Sequence, residues 1–418
     1  MNANASSRKN LTLLVIVAAL GYFVDIYDLV LFSVVRIQSF RDIGVPESEM
    51  RVDGEYVLNM QMAGLLLGGI LWGVIGDKFG RVKVLFGSIL VYSVANCLNG
   101  LVTDINAYAI IRFVAGIGLA GELGAGITLV SESMSTEKRG YGTMIVAGVG
   151  LFGAAAAATV AKEFSWQTAY FVGGGMGFVL LLMRIGTFES GMFKEMAGTK
   201  VSRGNISLLF TDRKRFVKYL HCILIGVPLW YVVGILVTQS PEFGKALNAT
   251  EPLNAGTGIL FTYLGIAIGD VFAGLLAQLT KSRRLTMLIF QVLSIFSVIL
   301  YLSSQGISEE KFTWLCLFMG FSVGYWANFV TIASEQFGTN IRSTVTTTVP
   351  NFVRGSLIPI TFLFELFVKG FGILTAGYIM IFLLSAVALF SLSRLKESFS
   401  KDLNYVEEES TGQYNVLS

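Results

Sequence analysis

The chain has 418 residues, 54% of them hydrophobic and only 14% charged. Ordinary soluble domains carry roughly a quarter charged residues, so a soluble multidomain enzyme is disfavoured. The formal net charge of +3 is small, and no basic run is interleaved with aromatics, so nucleic acid is not expected as a partner.

Hydropathy in chain order predicts twelve apolar spans. The first six cover 11–34, 55–75, 84–103, 107–131, 142–161 and 166–187, and the second six 219–239, 256–279, 285–303, 312–335, 343–366 and 372–393. At ~20 residues per crossing they need about 240 residues, which the length allows. The 46 glycines suit close helix packing in lipid, whereas a membrane β-barrel would show short alternating segments. The expected fold is an all-α membrane protein with twelve transmembrane helices in two six-helix bundles. The bundles would occupy 1–187 and 219–393, joined by a linker at 188–218 and followed by a tail at 394–418. The first run is too long, and too interrupted by acids, for a cleaved signal peptide. The tail from Ser400, with Glu407, Glu408 and Glu409, has too little apolar content to fold alone and is expected to be disordered.

Basic residues crowd one side of this topology. With both termini inside, the cytoplasmic segments hold Lys78, Arg81, Lys83, Lys138, Arg139, the cluster from Lys194 to Lys218, Lys281, Arg283, Arg284 and Arg342. The other side holds only Arg36, Arg41, Arg51, Lys162, Lys245, Lys311 and Lys369. By the positive-inside rule both termini are cytoplasmic, in a multi-pass protein of the plasma membrane, which is the inner membrane in a bacterium.

The halves also repeat. Gly73-Val-Ile-Gly-Asp77-Lys-Phe-Gly-Arg81 follows the second span, and Gly274-Leu-Leu-Ala-Gln278-Leu-Thr-Lys-Ser-Arg283-Arg284 follows the eighth. Glu132 with Arg139 after the fourth span matches Glu335 with Arg342 after the tenth, and Arg184 with Glu189-Ser190 matches Arg394 with Glu397-Ser398. Repeated halves around a midplane cavity are the architecture of many secondary transporters.

Gly73-x-x-x-Asp77-Lys-x-Gly80-Arg81 resembles the loop signature of the major facilitator superfamily, and Arg112-x-x-x-Gly116-x-Gly118 resembles its fourth-helix motif. The endings of helices six and twelve are similar to those of its sugar-porter-like branch. Asp25-Ile-Tyr-Asp28, Gly121-Glu122-x-Gly124 and Ser334-Glu335-Gln-Phe-Gly-Thr-x-Ile-Arg342 look most like its metabolite:proton symporters. Two departures carry information: the fifth helix lacks the Gly-Pro pair of antiporters, and Gly226-Val-Pro-Leu-Trp230-Tyr231 stands where sugar porters carry paired glutamines.

Intramembrane ionisable residues cost ~2.5–3.5 kcal/mol each on insertion scales and usually face a cavity or a partner. Asp28 and Arg112 lie at equal depth, which permits an ion pair, and protonation of the acid would release the fixed guanidinium. The resemblance implies that this pair couples protons to substrate, while a permanent structural bridge is the alternative. Asp25, on the same helix face, is a second proton site or a packing contact. Glu122 is a proton relay, a substrate hydrogen-bonding group or a structural bond. Asp270 is a gate or a packing residue. Arg354 is the anchor for an anionic substrate unless a protein carboxylate, Glu365 or Asp270, claims it. Trp230, Tyr231, Tyr325, Trp326 and Asn328 are substrate contacts or packing. Asp77, Arg81, Glu132, Arg139, Glu335 and Arg342 are expected to gate by bridging the halves, with orientation signals alone as the alternative.

Cys97, Cys222 and Cys316 read as buried hydrophobes, and His221 as an interfacial residue. No metal-ligand spacing, cofactor motif, Walker-type loop or nucleophile elbow stands out, so neither enzyme activity nor a cofactor is expected. The combined expectation is a monomeric proton-coupled symporter that imports a small organic anion or zwitterion by alternating access. An inorganic phosphate:proton symporter is the first alternative. A non-transporting membrane receptor or assembly subunit is the second.

Overall fold

The computed structural model describes residues 2–46, 49–135, 138–185, 207–401, 403–407 and 415–416. Most of the predicted linker, with Lys194, Glu189 and Ser190, lies outside this set, as do Glu408, Glu409 and the side chain of Arg139. Twelve helices are long and apolar enough to cross a membrane. We number them α1 Leu11–Asp42, α2 Tyr56–Phe79, α3 Arg81–Asn99, α4 Ile105–Ser133, α5 Gly140–Glu163, α6 Trp166–Met183, α7 Arg213–Val237, α8 Ala255–Thr280, α9 Arg283–Leu302, α10 Glu309–Gln336, α11 Arg342–Phe371 and α12 Ile373–Arg394. The predicted spans fall on these helices. The helix carrying α1 runs on from Asn2 to Asp42, and α2 extends to Phe79, because polar helix ends project past the hydrocarbon that a hydropathy window detects.

Twelve crossings put the start of α1 and the end of α12 on one face, called here the terminal face. The halves meet along two helix pairs, α2 with α11 and α5 with α8. Small residues make the first approach possible: a Cβ on Gly73 would sit 2.8 Å from Thr344 Cα, and one on Gly69 would sit 3.1 Å from Asn351 Cβ.

The repeat read from the sequence has a backbone counterpart. Gly80 turns the chain from α2 into α3 at φ +107°, and Lys281, at the matching place between α8 and α9, adopts φ +50°. Glycine enters that region without a side-chain penalty, whereas lysine does so only because the fold imposes it.

Several crossings are broken at mid-membrane. The helix Ile105–Leu119 gives way to Glu122–Ser133 within α4, and Glu309–Ser322 to Trp326–Gln336 within α10. In α7, Arg213–Leu224 is followed by the turn Val227–Tyr231, with Pro228 in its first two positions, and then by a π-helical stretch at Val232–Val237. Proline lacks the N–H that would bond back to Leu224, and beside this break the Ile225 carbonyl accepts from Gln291 Nε2 at 2.8 Å. Non-helical backbone at this depth is tolerated where it is enclosed by protein or lines a cavity.

The tail departs from expectation. Leu403, Tyr405 and Val406 are buried, and Tyr405–Val406 pairs antiparallel with Asn415–Val416. Its anchors are largely backbone groups. Leu403 O accepts from Arg342 Nη2 at 2.6 Å and Thr339 Oγ1 at 3.1 Å, and Tyr405 O accepts from Thr339 N at 2.8 Å. Hydrophobicity does not report such bonds, so a tail of low apolar content docks where composition points to disorder.

Candidate functional site

Three charged clusters lie between the helices. Within the first half, Arg112 Nη1 donates to Asp28 Oδ1 at 2.9 Å and to Asn96 Oδ1 at 3.3 Å, while Nη2 reaches the Asp28 carbonyl at 3.0 Å. Both side chains are fully buried, and the guanidinium lies 5.6 Å from the centre of the Tyr170 ring. Helix α1 supplies the acid and α4 the base, as equal depth in the sequence suggested. One carboxylate oxygen, Asp28 Oδ2, has no hydrogen-bond partner among the described residues.

The second cluster crosses between the halves. Arg354 on α11 approaches Asp25 on α1 with Nη2 to Oδ2 at 3.7 Å, too long for a hydrogen bond. Neither Asp25 oxygen has a hydrogen-bond partner among the described residues, although the carboxylate is fully buried. Arg354 also donates to Asn351 Oδ1 at 3.2 Å and lies 5.7 Å from the centre of the Trp326 ring. Arg354 thus faces Asp25 rather than Glu365 or Asp270, a contact between positions more than 300 residues apart that no spacing rule could find.

Arg354, Trp326 and Trp230 line a cavity of about 20 Å³ with Tyr22, Ile26 and Tyr263. A second cavity of about 30 Å³ lies between Leu29, Ser33, Trp230, Gly234 and Tyr263. Each volume suits about one water molecule, so these spaces are closed to a solute in this conformation. The indole N–H groups of Trp230 and Trp326 are buried without acceptors among the described residues. Buried donors of this kind cost free energy unless something binds them. Tyr263, absent from the sequence reading, lines both cavities; it lies on α8 with no charged neighbour to mark it.

Other expected contacts are engaged elsewhere. Tyr231 donates to Gly377 O at 2.7 Å and so faces α12. Asn328 donates to Arg283 O at 3.1 Å, near the terminal face. Tyr325 is fully buried at the start of the helix Trp326–Gln336, outside the linings of both cavities. One turn of helix separates facing from non-facing residues, and the break before Trp326 resets that phase. Glu122 is held at both oxygens by Arg184, at 2.8 and 2.6 Å, and accepts from Ser88 Oγ at 2.8 Å. That is the geometry of a structural bond between α4 and the end of α6. Asp270 Oδ1 accepts from Ala327 N at 2.9 Å, which caps the second segment of α10.

The third cluster closes the terminal face. Asp77 accepts from Ser343 N at 3.0 Å, Thr344 N at 2.8 Å and Thr344 Oγ1 at 2.7 Å, so a carboxylate of the first half caps α11 of the second. Glu132 receives both Arg81 at 3.0 Å and, from the other half, Arg342 at 3.1 Å. Arg81 Nη2 also reaches Thr339 O at 3.2 Å. The repeat equivalent of the Arg81–Glu132 pair is Arg283–Glu335 at 2.6 Å. The tail joins this cluster through Ser398 Oγ on Glu335 at 2.8 Å, and Glu407 pairs with Arg215 at 3.1 Å. Burial pushes the Glu397 carboxyl up, but hydrogen bonds from Ser282 and from the N–H groups of Phe399, Arg283 and Arg284 outweigh it and hold the carboxyl below the usual carboxylate range.

The sequence profile of the Major Facilitator Superfamily matches residues 18–356. A cis,cis-muconate transport protein of Acinetobacter baylyi is 26% identical, over 78% of this chain and 80% of its own length. The niacin transporter NiaP of the same organism is 23% identical over the same shares. Among solved structures, the proton:xylose symporter XylE is similar in fold, with a TM-score of 0.75 over 95% of this chain and 98% of that one, at 16% identity.

Proposed function

Since the chain belongs to the Major Facilitator Superfamily, and so is a membrane transporter, we propose that it is a proton-coupled symporter importing a small organic acid by alternating access. The observation that carries this reading is the cross-half pair of Asp25 and Arg354. Its acid is buried without a hydrogen bond, and its guanidinium stands beside two indoles with idle N–H groups. A substrate carboxylate offers Arg354 the two-pronged partner that Asp25 does not provide. An apolar or aromatic body fits against Trp230, Trp326 and Tyr263. Inorganic phosphate has no such body, so this lining favours an organic anion, in line with relatives named for niacin and muconate.

Proton and substrate then act on one conformational equilibrium. The acid-side solution protonates Asp28, loosening its hold on Arg112, and a proton on Asp25 frees Arg354 for the substrate. Neutralising both acids removes charge that would otherwise have to cross a low-dielectric cavity. Closure around the solute weakens the terminal-face contacts of Asp77, Glu132 and Arg342, and that face opens. The basic residues gathered there support a cytoplasmic placement, with inward delivery across the plasma membrane by a single copy of the chain.

Arg354→Gln tests the substrate assignment. In a thermal-shift screen, aromatic and short-chain carboxylates should stabilise the wild type and lose most of that effect in the variant, whereas the corresponding amides should be affected equally little in both. Equal loss for acids and amides would remove Arg354 from the substrate site. Ligand binding without flux in proteoliposomes would instead identify a receptor.

A further inference from the structure

A cavity of about 750 Å³ opens at the terminal face, apart from the small cavities between the halves. Its walls are the first turns of α7 and the segment that follows α12. Six cations line it: Arg213, Lys214, Lys218, Arg394, Lys396 and Lys401. The acid in the described lining is Glu397, whose oxygens are taken by Ser282 and backbone N–H groups. Lys218 pairs with Glu407 at 3.5 Å. Among the described residues, Arg213, Lys214, Arg394 and Lys396 have no carboxylate within ion-pair distance.

The cavity lies at the ends of two helices long and apolar enough to cross a membrane. Arg213 begins α7 and Arg394 ends α12, and basic residues at the end of a crossing belong at headgroup level. At the inner end of the cavity His221 meets Phe390 edge to face at 6.0 Å, joining the two helices. Toward the lipid, Phe216, Val217, Leu220 and Phe390 remain exposed, at 36%, 38%, 38% and 55%. Topology signalling accounts for basic residues at this level, but it does not require a cavity lined by them next to an apolar strip.

We propose that this cavity binds the phosphate headgroup of an anionic phospholipid from the adjoining leaflet, with its acyl chains along Phe216, Val217, Leu220 and Phe390. The same surroundings hold the Lys401 ammonium down to about 8, through burial and the nearby Lys218, a crowding of like charge that a bound anion relieves. The proposal does not depend on what the central cavity transports.

Native mass spectrometry and thermal shift on the full chain test it, with phosphatidylglycerol, phosphatidylcholine of the same acyl chains, and inorganic phosphate as separate probes. Phosphatidylglycerol should stay bound and stabilise at least about tenfold more effectively than phosphatidylcholine, with millimolar phosphate unable to substitute. Arg213→Gln/Lys214→Gln/Arg394→Gln/Lys396→Gln should erase that preference while keeping the lipid-free melting temperature. Should the fourfold variant fail to fold, Lys214→Gln/Lys396→Gln applies the same test with a smaller loss. Equal retention of both lipids, preference retained in the variants, or full substitution by phosphate would overturn the proposal.

Discussion

The two buried acid–arginine pairs of α1 differ in a way that assigns them different work. Asp28 and Arg112 belong to one half, meet at 2.9 Å and share a second bond through the Asp28 carbonyl. Asp25 and Arg354 belong to opposite halves, stand 3.7 Å apart and share no hydrogen bond. Three residues along one helix therefore separate a contact that moves with its bundle from a contact that must change whenever the bundles move. The first suits a site that takes up and releases a proton within one bundle, and the second a site whose partner is exchanged.

Substitutions can break this contrast. Arg354→Gln should have the largest effect on transport, lowering kcat/KM for carboxylates by about 100-fold, the scale of losing charge-assisted hydrogen bonds, as read from initial uptake rates. On stability the order reverses. Asp28→Asn strands the buried Arg112 and should cost about 3 kcal/mol, whereas Asp25→Asn removes no hydrogen bond and should cost about 1 kcal/mol. Melting temperatures of the purified variants in detergent measure both, and equal losses would erase the distinction between a tight and a loose pair.

The terminal face offers a second, smaller contrast. On the α2–α11 side Asp77 caps a helix through three hydrogen bonds, while its repeat counterpart on the α8–α5 side is the neutral Gln278, against Gly140. Asp77→Asn should therefore raise the labelling rate of a cysteine placed at Thr347 by about tenfold, and Gln278→Ala should raise it far less. Glu407→Gln, which weakens the tail's grip on Arg215 and Lys218, should give the smallest change, about twofold in the same assay.

What the sequence made legible follows from which interactions leave a periodic trace. Twelve spans, the repeat and the Asp28–Arg112 pair could be read because hydropathy, register and depth all survive in one dimension. The facing of Tyr231 and Asn328 could not, since breaks before Val227 and Trp326 rotate the following residues by an amount that spacing does not encode. The Asp25–Arg354 contact joins distant segments, and the docking of the tail runs largely through main-chain carbonyls. Neither leaves a pattern in side-chain type.

The most direct test is concentrative uptake in proteoliposomes carrying an acid-outside gradient. The account predicts that Asp28→Asn abolishes accumulation of the organic acid while preserving one-for-one exchange of labelled for unlabelled substrate. Normal accumulation by that variant would contradict it.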